Sequence, residues 1–152
     1  MNTQLTQKEA QLLKELKGQE SLCAEKYRRG AENAVDGQLK GLFAQIAQAE
    51  QAHFDTLTQI ENGTVPQPAQ GSKPMPKFTE MYGAANTPDK QNDCYLCSDA
   101  LGTEKHASSL YDTCVFEFQD ENTRKLLNHI QTEEQSHGKM IYDYMKANHM
   151  YS

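Results

Sequence analysis

The sequence predicts an all-α fold, a four-helix bundle made of two repeated helical hairpins, on three observations. Apolar residues recur at spacings of three and four along four long stretches. All five prolines fall between the second and third of these stretches, and a set of chemically distinctive residues recurs at a constant offset of 84 positions. No segment reads as a β-strand.

The first helix opens at Thr6-Gln-Lys-Glu9, a capping-box signature, and runs to about Ala34 with Leu12, Leu13, Leu16, Cys23, Tyr27 and Ala31 on one face. Asp36 is placed to cap a second helix that reaches Asn62 and is ended by Gly63. Its apolar face carries Leu39, Leu42, Phe43, Ile46, Leu57 and Ile60. The short turn makes residues 6–62 an antiparallel hairpin. Pro66, Pro68, Pro74, Pro76 and Pro88 then mark 63–92 as a connector, because a proline inside a helix costs roughly 3 kcal/mol. Extended chain covers roughly 3.3 Å per residue against a helical rise of roughly 1.5 Å, so this connector can cross the bundle from end to end. The alternative is an unordered tether between two hairpins that dimerise. The third helix is expected to start at Asn92 or Asp93, with Cys97, Leu101, Tyr111, Val115 and Phe118 inward. The fourth runs from about Glu121 to Ala147 with Leu126, Leu127, Ile130, Ile141 and Tyr144 inward. Residues 93–148 thus form a second hairpin, and 1–152 one domain.

Composition narrows the partners. A content of 37% hydrophobic residues builds one core, and no apolar run approaches the length of a membrane span. Residues 1–8 are polar with nothing resembling a signal peptide behind them, so cytoplasmic synthesis, solubility and no membrane partner are expected. The net charge of −6, with both signs interleaved, offers no basic stripe, and nucleic acid is not an expected partner. Four cysteines in such a chain are expected to stay reduced.

The inward stripes are not wholly apolar. The second helix reads Leu39, Phe43, Ile46, Glu50, His53, Leu57, Ile60, and the fourth reads Thr123, Leu127, Ile130, Glu134, His137, Ile141, Tyr144. The first carries Glu20 between Leu16 and Cys23, and the third Glu104 between Leu101 and Ala107 or Ser108. Glu20 and Glu104, Tyr27 and Tyr111, Glu50 and Glu134, His53 and His137 are all 84 apart, and in each half 30 residues separate the two acids. Four carboxylates at one level of a core are costly unless compensated, and few basic residues share their stripes. Two divalent cations would balance four carboxylates and accept the imidazoles as neutral ligands, so Glu20, Glu50, His53, Glu104, Glu134 and His137 are the expected metal ligands. Carboxylate oxygens with one imidazole per metal suit Fe or Mn, and two such ions are the expected cofactors.

Gly18 through Tyr27, Glu50-x-x-His53, Glu104 to Tyr111 and Glu134-x-x-His137 together resemble the ferritin-like bundle domain of rubrerythrins. The resemblance implies that those six residues bind two irons, with Tyr27 and Tyr111 close by and a long crossover between the second and third helices. It implies peroxide or O₂ chemistry of the peroxidase or oxidase kind, with no catalytic residue beyond the ligands. Two positions depart from the pattern: rubrerythrins place a further carboxylate where Ala107 stands, and carry two Cys-x-x-Cys pairs where this chain has one. Any turnover would therefore draw electrons from an external reductant. The second half, from Asp93 through Glu104-Lys105, Tyr111, Glu133-Glu134 and Ile141-Tyr-Asp-Tyr-Met145 to Tyr151, is similar to the Coat F family of spore coat proteins. That resemblance implies deposition on a spore, other coat proteins as partners, and a structural role with or without metal. A homodimer or higher homo-oligomer is expected in either case.

The remaining candidates have two readings each. Tyr27 and Tyr111 either hydrogen-bond ligand carboxylates or close the core, and Cys23 either touches the metal pocket or fills space. Cys94 and Cys97 are either a reactive pair or small buried hydrophobes, the latter favoured because the offset maps them onto Ala10 and Leu13. His106, His129 and His149 are expected at the surface.

Overall fold

The computed structural model describes residues 4–71 and 73–151. Positions 1–3, 72 and 152 of the expected domain lie outside the described residues. Four helices, α1 (Gln7–Asn33), α2 (Gly37–Glu61), α3 (Pro88–Glu117) and α4 (Glu121–Ala147), make up the fold, with no β-strand among the described residues.

Their ends follow from local chemistry. The Thr6 hydroxyl accepts the Glu9 N–H at 3.1 Å and Glu9 accepts the Thr6 N–H at 2.8 Å, which is the predicted capping box. Asp36 stands at the N-cap of α2, but its side chain makes no capping bond. It accepts instead from the Tyr144 hydroxyl at 2.8 Å. α3 starts at Pro88, four residues before the expected Asn92, with Thr87 accepting the Lys90 N–H. Proline is disfavoured only in a helix interior; at the first position its missing N–H would have no partner anyway, so the connector is shorter than predicted. Asp120 caps α4 through the Thr123 N–H at 2.8 Å, and Gly63, at φ 90°, takes the chain out of α2 in a conformation that favours glycine.

Each helix is antiparallel to the neighbours it packs on. α1 lies between α2 and α3, and α4 between α2 and α3. Two apolar clusters fill the interior. One, at the end holding the α1–α2 turn, contains Leu39, Phe43, Ile46, Leu101, Ile141 and Tyr144. The other contains Leu13, Leu16, Leu57, Tyr111, Phe118 and Leu127. A polar layer separates them.

Between α2 and α3, described residues on either side of position 72 reach opposite ends of the bundle. Val65 packs on the second cluster, while Phe78 packs on the first, edge-on to Tyr144 with ring centroids 5.5 Å apart. Beyond it the backbone N–H groups of Met81 and Tyr82 donate to Asn148, and the Tyr82 hydroxyl donates to Asp93 at 2.7 Å. The connector is therefore pinned rather than a free tether.

The hairpin turns are held by carboxylates from the other hairpin. Buried Asp93 accepts the N–H groups of Val35 and Asp36 in the α1–α2 turn at 2.8 and 3.0 Å. Buried Glu9 accepts the N–H of Gln119 in the α3–α4 turn at 3.0 Å. Glu9 and Asp93 are 84 apart, as are Val35 and Gln119. The locks thus share the offset of the acids and histidines.

Candidate metal centre

The polar layer is built from the middle of each helix. Glu20 on α1, Glu50 and His53 on α2, Glu104 on α3, and Glu134 and His137 on α4 are all buried, none more than 5% exposed. They are there because each sits on its helix's inward stripe, one turn from a leucine or isoleucine that anchors that face. The structure brings all six predicted residues together in two overlapping groups. Glu20, Glu50, His53 and Glu134 offer atoms within 4.8 Å of one another, and so do Glu50, Glu104, Glu134 and His137. Glu50 and Glu134 belong to both groups.

Both imidazoles turn Nδ1 toward the carboxylates, and the rings lie 6.1 Å apart, 24° from parallel. His53 Nδ1 is 3.0 Å from Glu134 and 3.6 Å from Glu20. His137 Nδ1 lies 3.0 Å from Glu50 and 3.5 Å from Glu104, but without the alignment of a hydrogen bond. Five carboxylate oxygens, Glu20 Oε2, both of Glu50, Glu104 Oε2 and Glu134 Oε2, are buried with no hydrogen-bond partner. Buried polar atoms of native proteins nearly always have one, so these oxygens are free to accept a proton, a water or a cation.

The electrostatics agree. Burial pushes the Glu50 carboxyl up to about 10, against the partial relief of His137 beside it. Burial, helped by neighbouring Glu134, pushes Glu104 up to about 8. Burial would raise Glu134 too, but its contacts with Glu104, His137 and His53 outweigh it and hold that carboxyl well below the usual range. Burial opposes charge on both histidines, yet the surrounding carboxylates raise them well above the ordinary imidazole value. Protons on the carboxyls and imidazoles thus offset part of the negative charge of the layer.

Tyr27 and Tyr111 hydrogen-bond two of these carboxylates across the hairpin boundary. The Tyr27 hydroxyl donates to Glu104 at 2.6 Å, and the Tyr111 hydroxyl to Glu20 at 2.7 Å. Burial and these carboxylates raise both phenols well above their ordinary value, which keeps them as donors. Cys23 lines the layer; burial, then Glu50, pushes its thiol up, so it stays protonated, accepting a bond from Gln19 at 3.4 Å. It belongs to neither four-residue group.

Glu133 was not among the predicted residues. It accepts from His53 Nε2 at 2.9 Å, and that bond holds its carboxyl below the ordinary range. The only sequence signal is its adjacency to Glu134, and its counterpart 84 residues earlier is Ala49, which has no polar group to offer His137. His129, half-buried, stands 3.5 Å from Glu133, whereas His106 is exposed and His149 meets Glu80 at 2.8 Å on the surface. Cys97 is buried and Cys94 half-buried in the first apolar cluster, both as free thiols.

The Coat F domain model matches residues 92–152. The match takes in almost all of α3 and the whole of α4, and with them Glu104, Tyr111, Glu134 and His137. Glu20, Tyr27, Glu50 and His53 lie outside it. No curated protein and no solved structure matches the chain. Among the described residues, no helix is long and apolar enough to cross a membrane.

Proposed function

We propose that this chain is a Coat F-type spore coat protein whose ferritin-like bundle, two copies of one hairpin joined by a crossover, holds a pair of Fe or Mn ions. The similarity over residues 92–152 supports the coat assignment. The observation that carries the metal is the set of five buried, unpartnered carboxylate oxygens facing two imidazole nitrogens. Two divalent ions supply the charge that four buried carboxylates need, and hard oxygen donors with one imidazole each suit Fe or Mn. Glu20 and His53 would complete one position, Glu104 and His137 the other, with Glu50 and Glu134 shared. Glu133 would fix the His53 ring by accepting its Nε2–H, and the two tyrosines would orient Glu20 and Glu104.

In this reading the metals tie all four helices together, and the protein's first role is structural. A second reading, peroxide or O₂ chemistry with an external reductant, is favoured by the phenols that hold Glu20 and Glu104 at 2.6–2.7 Å, since buried donors poised on a metal ligand serve redox centres as well as stability. When bound, a pair of ferrous ions supplies electrons for reducing peroxide. Metal analysis of protein purified without added metal, then stopped-flow mixing of the ferrous form with peroxide, separates these readings. About two metals per chain without peroxide reactivity supports the structural role; rapid oxidation supports the redox role; no metal after anaerobic iron loading refutes the centre. Extraction of spores followed by immunodetection tests the coat assignment independently, and a signal confined to the mother-cell cytosol refutes it.

A further inference from the structure

A groove between two helices reaches the polar layer. It has a volume of about 530 Å³ and runs between α3 and α4, with Glu104 and Glu134 in its lining. Leu101, Ser108 and Gly138 form its walls, and the exposed Lys105 and Lys139 stand at its edge. Gly138 leaves the room: a Cβ added there would meet nothing nearer than Leu101 Cδ2 at 4.0 Å.

The opposite seam, between α1 and α2, offers the test of whether this opening is incidental. The positions 84 residues before Gly138 and Leu101 are Phe54 and Lys17. There the half-buried Phe54 ring occupies the seam, the Lys17 ammonium sits 5.2 Å from its centroid, and Lys17 pairs with Glu61 at 2.8 Å. Equivalent positions thus close one seam with an aromatic ring and open the other with a glycine. The lysines at the open edge have Ser21 and Asp55 as their counterparts, while Lys17 at the closed seam is paired with Glu61.

We propose that the α3–α4 groove is an entrance to the centre, through which peroxide-sized molecules and small anions reach the metal position formed by Glu104 and His137. This rests on the metal-centre reading above. Lys105 and Lys139 would draw anions to the mouth against the opposing charge of Asp112 in the lining and of Asp143, with which the Lys139 ammonium pairs. The phenylalanine-closed seam would shield Glu20 and His53, so exogenous ligands would bind one metal position before the other.

Azide is the probe, because its binding to ferric iron gives an absorption band that needs no turnover. In the iron-loaded full-length protein, Gly138→Phe, which copies the closed seam, should slow azide association by about ten-fold or more with iron content unchanged. Adding Phe54→Gly to that variant should restore entry from the other side. Should Gly138→Phe not fold, the double variant Lys105→Glu, Lys139→Glu leaves the walls intact. It should slow azide and reverse the salt dependence of its association, while leaving the binding of neutral nitric oxide unchanged. Iron content measured on the same samples separates the two claims. Absence of iron refutes the centre, whereas two irons with wild-type azide kinetics in both groove variants overturn the entrance.

Discussion

Replacing Glu50 by glutamine should make the metal-free protein more stable while destroying its metal binding. In the folded, metal-free chain burial holds the Glu50 carboxyl up to about 10. An unfolded chain would ionise it near the ordinary value of 4.5. A proton bound more tightly in the folded state contributes stability that is fully present below the unfolded value and is lost as pH rises toward the folded one. From about 4.5 to 7 the interval is about 2.5 pH units, and at roughly 1.4 kcal/mol per unit Glu50 costs the metal-free fold about 3–4 kcal/mol at neutral pH. Glutamine keeps the shape and removes the titration. It also removes a neighbour of His137, 3.0 Å away, so the net gain is nearer about 2 kcal/mol. Urea denaturation of chelator-treated protein at pH 5 and pH 7 reads this directly. The wild type should lose stability between these values, and the variant should lose less and overtake it at pH 7. Because Glu50 belongs to both four-residue groups, metal stoichiometry should fall at both positions. A variant that is less stable than wild type at pH 7 without metal would refute the reasoning, since Glu50 would then be an ordinary structural partner.

Three further outcomes are expected. Burial holds Glu50 and Glu104 at about 10 and about 8, and the carboxylates raise His53 and His137, so metal loading should release protons and affinity should rise with pH; calorimetry in buffers of different ionisation enthalpy counts them, and release of none would contradict the protonated layer. Asp93→Ala strands two turn N–H groups and the Tyr82 hydroxyl, and should cost about 2–4 kcal/mol in a thermal melt, with metal stoichiometry intact. Gly30→Ala places a Cβ 2.8 Å from Phe43 Cδ2 and should cost about 1–3 kcal/mol by overpacking, an effect that Phe43→Leu should relieve.

The six ligand candidates were legible because a helix stripe is a one-dimensional pattern. Polar residues at positions otherwise filled by leucine stand out without any knowledge of neighbours. The four helices were legible for the same reason, apart from the start of α3, where Pro88 was read as a breaker although the first helical position tolerates it. What the sequence hid was pairing between hairpins. Asp36 reads as a cap, yet Tyr144 takes its carboxylate; Asp93 reads as a helix start, yet its acceptors serve a turn nearly sixty residues away. Glu133 carries no pattern of its own, since its role depends on which ring nitrogen of His53 happens to face it. The asymmetry of the seams was present in the pairing of Phe54 with Gly138, but only the packing of the helices shows that these positions face an approach to the acids.

The locks and the tyrosine bonds have a common property: each joins one half of the chain to the other. Asp93 serves the first turn and Glu9 the second, Tyr27 reaches Glu104 and Tyr111 reaches Glu20. A solitary hairpin would satisfy none of these groups, but two identical copies related by a two-fold axis would satisfy all of them. Two halves in one polypeptide need not be identical. Ala49 and Glu133, Phe54 and Gly138, Cys23 and Ala107 differ at the same offset that the bonding groups keep. The buried layer therefore has a front and a back that a symmetric pair of hairpins could not possess.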